Sequence, residues 1–306
     1  MSANSEGRRG AVCAVGMFDG VHLGHRHLLE RLADTARETG REAVAVTFDV
    51  HPLSLVRPGS EPQALCSLGR RVELIRSCGV SEVHVLHFDP ALRVLTASEF
   101  IGLLRRDYGV DMLLMGYDHG FGSDRLSALA DYREAGRVHG VSVDRVGEYT
   151  LEGCGKVSSS SVRRALDTGD VELAARMLGR SYEIEGTVVH GRRLGHTIGF
   201  PTANVEPSGH VLVPARGVYA GYVLVDGSCY PAMVNIGHNP TVSDTPAPMS
   251  IEAHIIDFDG DIYGHTVRLG FVRRLRDERR FDSVEARASA LADDRRATIS
   301  ILAGRI

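Results

Sequence analysis

No charge of one sign dominates this sequence: 35 Lys and Arg stand against 39 Asp and Glu, a formal net charge of −4. A broad basic footprint for nucleic acid or for an anionic membrane surface is thereby excluded. Cysteine is scarce. The five present (Cys13, Cys66, Cys78, Cys154, Cys229) are odd in number, widely spaced and never in a Cys-x-x-Cys pair, which excludes a disulfide framework and a zinc knuckle. No apolar run approaches the roughly 18 residues of a membrane-spanning helix, and the opening "MSANSEGRRG" is polar, without the apolar core of a secretory signal. Internal repeats and long linkers are also missing. The expectation is a cytoplasmic protein with no membrane or nucleic-acid partner, acting on small molecules.

What is present is apolar material for two separate cores: 43% of 306 residues are hydrophobic. The first half alternates β-branched runs with amphipathic helical patterns, from "AVCAVGMF" and "HRHLLERLADTARETG" through "EAVAVTF" to "DMLLMG" and "ADYREAGRVHG". That order predicts βαβ units, an α/β domain with a doubly wound parallel sheet and helices on both faces. In the first helix Leu28, Leu32 and Ala36 recur every four residues, so one face packs on the sheet. From about Ser181 the period shortens to alternating strands such as "GVYAGYVLVDG" and "SIEAHIIDF", with Gly and Pro turns between them. A small antiparallel β-barrel is predicted there, closed by the helical tail "DSVEARASALADDRRATISIL". The division falls near "GRSYEIEG", giving domains 10–180 and 181–306.

After the first apolar run stands "GMFDGVHLGHRHLL" (16–29), with three glycines, an Asp and three His in fourteen positions. Ligands of open α/β sheets sit beyond the carboxyl ends of the strands, where the next helix begins. Free N–H groups and the helix dipole favour an anion there, and Gly20 and Gly24 let a phosphate approach the main chain. His22 and His25 can then donate to phosphate oxygens as charge develops on a leaving pyrophosphate. A zinc site is the second reading, weighed lower because no Cys, Glu-x-x-His or distant His pair completes a ligand set of recognisable spacing. A His-rich surface turn is the third. His27 continues into the helix and is read as structural.

Three further clusters stand out. Serines 158–161 lead into "VRRAL", so hydroxyls and free N–H groups meet a helix start with Arg163 one turn inside. That is a second anion cradle, or by itself an ordinary Ser N-cap. In "GRRLGHTIGFPTANV" (191–205) a strand period places Thr202 and Asn204 on one side, offering oxygens to Mg²⁺ and phosphate, or serving a turn. Glu252, between Ile251 and Ala253, is a candidate general base, although periodicity alone favours a solvent-facing position.

The string GxFDGVHxGH opening a doubly wound domain resembles the HxGH nucleotidyltransferases, specifically the adenylyltransferase half of the bacterial bifunctional riboflavin kinase/FAD synthetase family. "TFDVHP" (47–52) is similar to the family's TFxPHP loop, "GYDHGFGSDR" (116–125) to its G-x-D/N-x-x-FG-x-x-R segment, and "KVSSSSVR" (156–163) to its V-S-S-T-x-I-R motif. The resemblance implies a nucleotide held by Gly16, Phe18, Asp19, Gly20, Gly24, Ser159 and Ser160. It implies catalytic support from His22, His25 and Arg163, and flavin contacts from Phe48, Asp49 and Asp118. The second half resembles the riboflavin kinase barrel through "GTVVHG", "GFPTAN", "GVYAGYV", "NIGHNPT", "IEAHIIDFDGDIYG" and "FVRRLRDERRFDS", so that the likeness spans about residues 10 to 290.

From the second half the resemblance implies that Thr202 and Asn204 hold nucleotide and Mg²⁺, and that Glu252 activates the flavin 5′-hydroxyl. The implied chemistry is two consecutive transfers: riboflavin and ATP give FMN and ADP, then FMN and ATP give FAD and pyrophosphate. Such transfers ask for positioning and charge stabilisation, with no covalent nucleophile. The sequence departs from the pattern at Val50 (Pro in TFxPHP), at Gly120 (a basic or bulkier residue) and at His196 (an Arg). These departures admit a relative specialised for a flavin analogue or another nucleotide. A non-catalytic flavin-binding regulator is opposed by the presence of His22, His25, Ser159, Arg163, Thr202, Asn204 and Glu252.

Overall fold

The computed structural model describes residues 10–190, 200–238, 249–279 and 281–304. They form two compact units, one running through Pro62 and resuming over Leu68–Val157, the other taking Gln63–Ser67 and everything from Ser158 onward. Where the sequence reading divides the chain at 180/181, the helices α7 (Ser159–Asp167) and α8 (Val171–Leu178) thus group with the barrel.

In the first unit five strands, β1 (Ala11–Val15), β2 (Glu42–Phe48), β3 (Glu82–Leu86), β4 (Val110–Met115) and β5 (Ser142–Arg145), lie in the order β3-β2-β1-β4-β5, every pair parallel. Strands buried on both faces are apolar throughout, and "AVCAV" of β1 is buried at all five positions. Alternation divides its side chains. Ala11, Cys13 and Val15 join Val44, Val46 and Phe48 in a core completed by Ala97, Phe100, Ile101 and Leu104 of α5 (Ala97–Tyr108). The alternate residues face the other side, where α1 (Leu23–Thr39) packs on β1 and β2 through Leu28, Leu29 and Leu32. Between β2 and β4 run α2 (Pro52–Val56), α3 (Leu68–Arg76), α4 (Pro90–Val94) and α5; α6 (Leu129–Val138) joins β4 to β5, and after β5 the short β6 (Thr150–Leu151) and β7 (Gly155–Lys156) pair with each other. Helix α5 opens on a capping box between Thr96 and Glu99 and stops at Gly109 in the left-handed conformation.

The second unit is a closed barrel of β8 (Tyr182–Val189), β9 (Ala203–Pro207), β10 (Gly217–Val225), β11 (Ser228–His238), β12 (Met249–Ile255) and β13 (Thr266–Arg276). Their order is β10-β11-β12-β9-β8-β13, with every neighbour antiparallel. The β10–β11 hairpin turns on Asp226–Gly227, both with positive φ, the Asp-Gly chemistry a two-residue loop demands. At Gly221 the β10 and β13 backbones come so close that a Cβ would stand 2.1 Å from the Gly270 carbonyl oxygen. The segment 63–67 joins this unit through backbone hydrogen bonds from Ala64 to His210 and from Leu212 to Ala64.

Helix α9 (Val284–Leu302) packs on β10, β11 and β13 with a stripe of every fourth residue: Ala290, Asp294, Thr298 and Leu302. Two of the four are polar, so burial alone does not seat this helix. The Arg276 guanidinium of β13 grips the enclosed Asp294 carboxylate from two nitrogens, at 2.7 to 3.2 Å. Breaking such a pair strands a buried charge, at about 3 kcal/mol. Asp294→Ala is therefore expected to lower unfolding stability by about 3 kcal/mol, read from urea transitions. A loss under about 1 kcal/mol would mean that α9 is held by apolar contact instead.

Candidate active sites

In the first unit the chain runs from β1 to β2 and β3 on one side, then crosses to β4 on the other, so the switch point lies between β1 and β4. The turn leaving β1 is strained there. Phe18, Gly20 and Val21 all have positive φ (48°, 74° and 39°), and two of the three are not glycine. Phe18 is buried and meets the His25 ring edge-on at 5.4 Å, so its side chain shapes the turn from inside. Asp19 is buried in the same turn, over the short 3₁₀ segment Asp19–Val21.

His22 is the N-cap of α1, its Nδ1 accepting the His25 backbone N–H at 3.3 Å. An accepting Nδ1 carries no proton, so neutral His22 is protonated at Nε2 and presents that N–H as a donor. The His22 and His25 rings stack at 3.7 Å, 17° from parallel. Burial, reinforced by repulsion from His22, His119 and Arg71, holds the His25 pKa well below the ordinary imidazole value, and its Nδ1 is enclosed without a hydrogen-bond partner. At Gly24 a Cβ would come within 3.2 Å of the His22 ring and 3.4 Å of the Val157 carbonyl, so glycine is what lets the pair close up. His27 is exposed, beside Tyr149. Among the described residues no group of three or more His, Cys, Asp or Glu converges to hold a metal ion.

Beyond the carboxyl ends of β1, β2 and β4 lies a cavity of about 230 Å³ lined by Met17, Phe48, Phe88, Phe100, His119 and Phe121 among others. Gly120 also lines it, and a Cβ there would press on the Tyr132 hydroxyl at 3.2 Å. Of the three expected flavin contacts only Phe48 is in this wall. The Asp49 carboxylate is engaged by the His87 ring at 2.6 Å and by the backbone N–H groups of Val50 and Phe88, and it ties β2 to the segment after β3. Asp118 pairs at 2.6 Å with Lys156. Arg71, buried, donates to the Phe48 carbonyl at 2.8 Å, and Thr47 donates to the Met17 carbonyl, which fixes the end of β2 against the turn after β1.

In the second unit Ser158 and Ser161 form a capping box at the start of α7, and Arg163 donates through Nε to the Gln63 carbonyl. Ser160 is exposed and Ser159 partly so. In the barrel, β12 alternates: Ile251, Ala253 and Ile255 are buried, whereas Glu252 and His254 lie on the other face, half-buried. Register puts Asn204 of β9 and Asn235 of β11 directly opposite Glu252 on either side, three polar side chains in one row. Thr202 Oγ1 is 3.5 Å from Glu252 Oε2. His254 donates Nδ1–H to the Pro201 carbonyl at 2.8 Å and pins the extended chain that carries Thr202. Two cavities meet at Thr202. One, about 340 Å³, is walled by Pro201, Phe258, Asp259 and Tyr263. The other, about 650 Å³, holds Glu252, Asn235, His254, Arg276 and Phe281. His196 lies outside the described residues.

The comparisons with known proteins join these two centres in one enzyme family. The family model described as FAD synthetase matches residues 4–161, and the one described as riboflavin kinase matches 178–302. A bifunctional riboflavin kinase/FMN adenylyltransferase of Pseudomonas fluorescens is 39% identical over 287 residues, 94% of this chain and 91% of the relative. The chain belongs to the bifunctional riboflavin kinase/FMN adenylyltransferase family. The family's protein from Escherichia coli (strain K12) is 36% identical over 289 residues, 94% of this chain and 91% of the relative. The crystal structure of a macrolide-efflux protein from Streptococcus pneumoniae superposes with a TM-score of 0.85 at 32% identity, over 95% of this chain and 94% of that one. Among the described residues no helix is long and apolar enough to cross a membrane.

Several lining residues went unselected in the sequence: Met17, Phe88, Phe100, His119 and Phe121 in the first unit, Asn235 and Phe281 in the second. His119 and Phe121 stand inside the quoted "GYDHGFGSDR", and Asn235 inside "NIGHNPT", but only strand register and loop path show which side chains turn inward.

The state of His25 gives a pH test. The unfolded chain takes up a proton at this residue near pH 6.5, which the folded chain refuses until lower pH, so the unfolded state binds more protons in between. The resulting stability is complete above the unfolded value and is lost as pH falls below it. His25→Ala is expected to flatten the fall in stability between pH 7 and pH 5, measured by denaturant unfolding at each pH. An unaltered slope contradicts a neutral, enclosed imidazole.

Proposed function

We propose that the chain performs both transfers of its family, each in its own unit: the barrel phosphorylates riboflavin with ATP to give FMN and ADP, and the parallel-sheet unit joins FMN to the adenylyl group of a second ATP to give FAD and pyrophosphate. The observation that carries the reading is the polar row Asn204–Glu252–Asn235, turned away from the barrel core, of which Glu252 and Asn235 line the larger cavity together with Thr202.

In the barrel, Glu252 is the proton acceptor. It takes the proton of the riboflavin 5′-hydroxyl as that oxygen attacks the γ-phosphorus of ATP. The acceptor hydroxyl must reach this carboxylate, so riboflavin occupies the larger cavity beside Glu252 and Phe281, and the nucleotide the smaller one beside Asp259 and Tyr263. Thr202 and Asn204 offer neutral oxygen donors next to a carboxylate, a hard set suited to Mg²⁺ carried mainly by phosphates. Bound there, the ion supplies positive charge to the phosphate oxygens as the γ-phosphoryl group is transferred.

In the parallel-sheet unit a phosphate oxygen of FMN attacks the α-phosphorus of ATP, and the bond to pyrophosphate breaks. His22, whose Nδ1 is taken up by the helix cap so that Nε2 carries the proton, donates to the charge appearing on the leaving group. His25 fixes the orientation of that ring by stacking. Gly16, Gly20 and Gly24 keep the main chain open to phosphate. Ser159, Ser160 and Arg163 belong to the other unit, at the start of α7, and their role toward nucleotide phosphate rests on the family resemblance alone. The FMN ring occupies the aromatic cavity at Phe48, and small-molecule substrates of this kind suit an enzyme of the cytoplasm.

The two half-reactions should fail separately. Glu252→Gln is expected to lower FMN formation by ~10²–10⁴ and to leave adenylylation of supplied FMN intact. His22→Ala is expected to lower FAD formation by ~10² or more with riboflavin phosphorylation unchanged. Loss of both activities together in either folded variant, or of neither, rejects this assignment of residues.

A further inference from the structure

Both strands that flank the switch point of the parallel sheet lead to a histidine. β1 leads to the stacked pair His22 and His25, and β4 leads through Gly116 to His119, near enough to His25 for a charge on one to oppose a charge on the other. His119 is in the wall of the aromatic cavity, which is lined mainly by apolar side chains such as Met17, Phe48, Phe88, Phe100 and Phe121, with Arg93 as its one other charged or titratable side chain among the described residues. Its Nε2 is buried and has no hydrogen-bond partner. Burial also holds the ring below the ordinary imidazole pKa, so at neutral pH it is an uncharged group.

The loop that carries His119 is held rather than loose. The Tyr132 hydroxyl accepts the Phe121 N–H at 3.0 Å and lies 2.9 Å from the Phe121 carbonyl, and the Phe121 ring sits 6.2 Å from that of His119. An enclosed nitrogen without a partner is unfavourable in a folded chain and persists where a ligand satisfies it. An isoalloxazine ring supplies both things this cavity calls for. Its flat body suits phenyl walls, and its pyrimidine half carries carbonyl oxygens, ring nitrogens and an N–H along one edge.

We propose that His119 is a flavin-recognition residue of the adenylylation site, its Nε2 hydrogen-bonding the polar pyrimidine edge of the FMN ring. The proposal rests on reading the aromatic cavity as the FMN site. It gives that cavity a polar selector: a flat apolar molecule fills the phenyl walls but leaves Nε2 unsatisfied, whereas a flavin meets both demands.

The test is steady-state FAD formation from FMN at saturating ATP. His119→Phe keeps a flat ring and removes both nitrogens. The KM for FMN is expected to rise roughly 5- to 100-fold while kcat moves less than about twofold and riboflavin phosphorylation is unchanged. His119→Gln, polar at similar reach, should recover most of the KM; a purely packing role predicts the reverse order. An unchanged KM in His119→Phe, or equal increases in both variants, overturns the proposal. Phe121→Ala locates a failure. If its FMN KM is also unchanged, the aromatic cavity is not the FMN site and both readings fall; if it rises while that of His119→Phe does not, only the role of His119 falls. Melting temperature and kinase rate report folding, and should the Phe variant misfold, His119→Ala takes its place with the same expectations.

Discussion

Strand register is the constraint on which the barrel's chemistry depends. Side chains alternate along β12, so a slip of one residue against β9 and β11 would carry Glu252 into the core and Ile251 out of it. The buried row Ile251, Ala253 and Ile255 makes that slip costly, because it would exchange apolar contact for an enclosed carboxylate. The same residues that pack the barrel therefore hold Glu252 between Asn204 and Asn235. Closure strengthens the constraint: with each strand paired on both sides, no edge is left along which β12 could shift. The Asp226–Gly227 turn and the close approach at Gly221 set neighbouring registers in the same way.

The first unit solves a different problem, that of presenting polar groups from a sheet buried on both faces. Its strands are too apolar to carry a site, so the polar groups stand just past their carboxyl ends, at the switch between β1 and β4. The turn there adopts positive φ at Phe18, Gly20 and Val21, and its cost is offset by burying Phe18 and by the His22 cap on α1. One hydrogen bond then sets the tautomer: with Nδ1 of His22 accepting a backbone N–H, the proton of the neutral ring sits on Nε2. Strain, cap and tautomer are consequences of one short stretch of chain.

Much of this was legible in the sequence, for reasons that differ from place to place. Alternating βαβ periods and the later shortening to period two were enough for a parallel sheet followed by an antiparallel barrel, because each pattern follows directly from which faces are buried. Local geometry was legible where it depends on neighbours along the chain, as in the His22 turn that starts α1 and the serine cap that starts α7. Where a role depends on distant strands, sequence was silent. Nothing near Asn235 reveals that it stands opposite Glu252, and nothing in "GYDHGFGSDR" tells that His119 turns into a cavity while Asp118 turns toward Lys156. Helix α9 shows the same limit, since nothing in "DSVEARASALADDRRATISIL" sets Asp294 apart from its neighbouring acids until Arg276 of β13 is placed against it.

Two polar centres, each built by the burial pattern of its own unit, make a chain that should carry a flavin through two successive transfers. The most direct measurement is a time course of the wild-type protein with riboflavin, ATP and Mg²⁺, the flavins resolved by chromatography. Riboflavin should fall as FMN appears, and FMN should then give way to FAD with release of pyrophosphate. Riboflavin left unchanged, or FMN accumulating without FAD while supplied FMN and ATP also fail to react, would contradict the account.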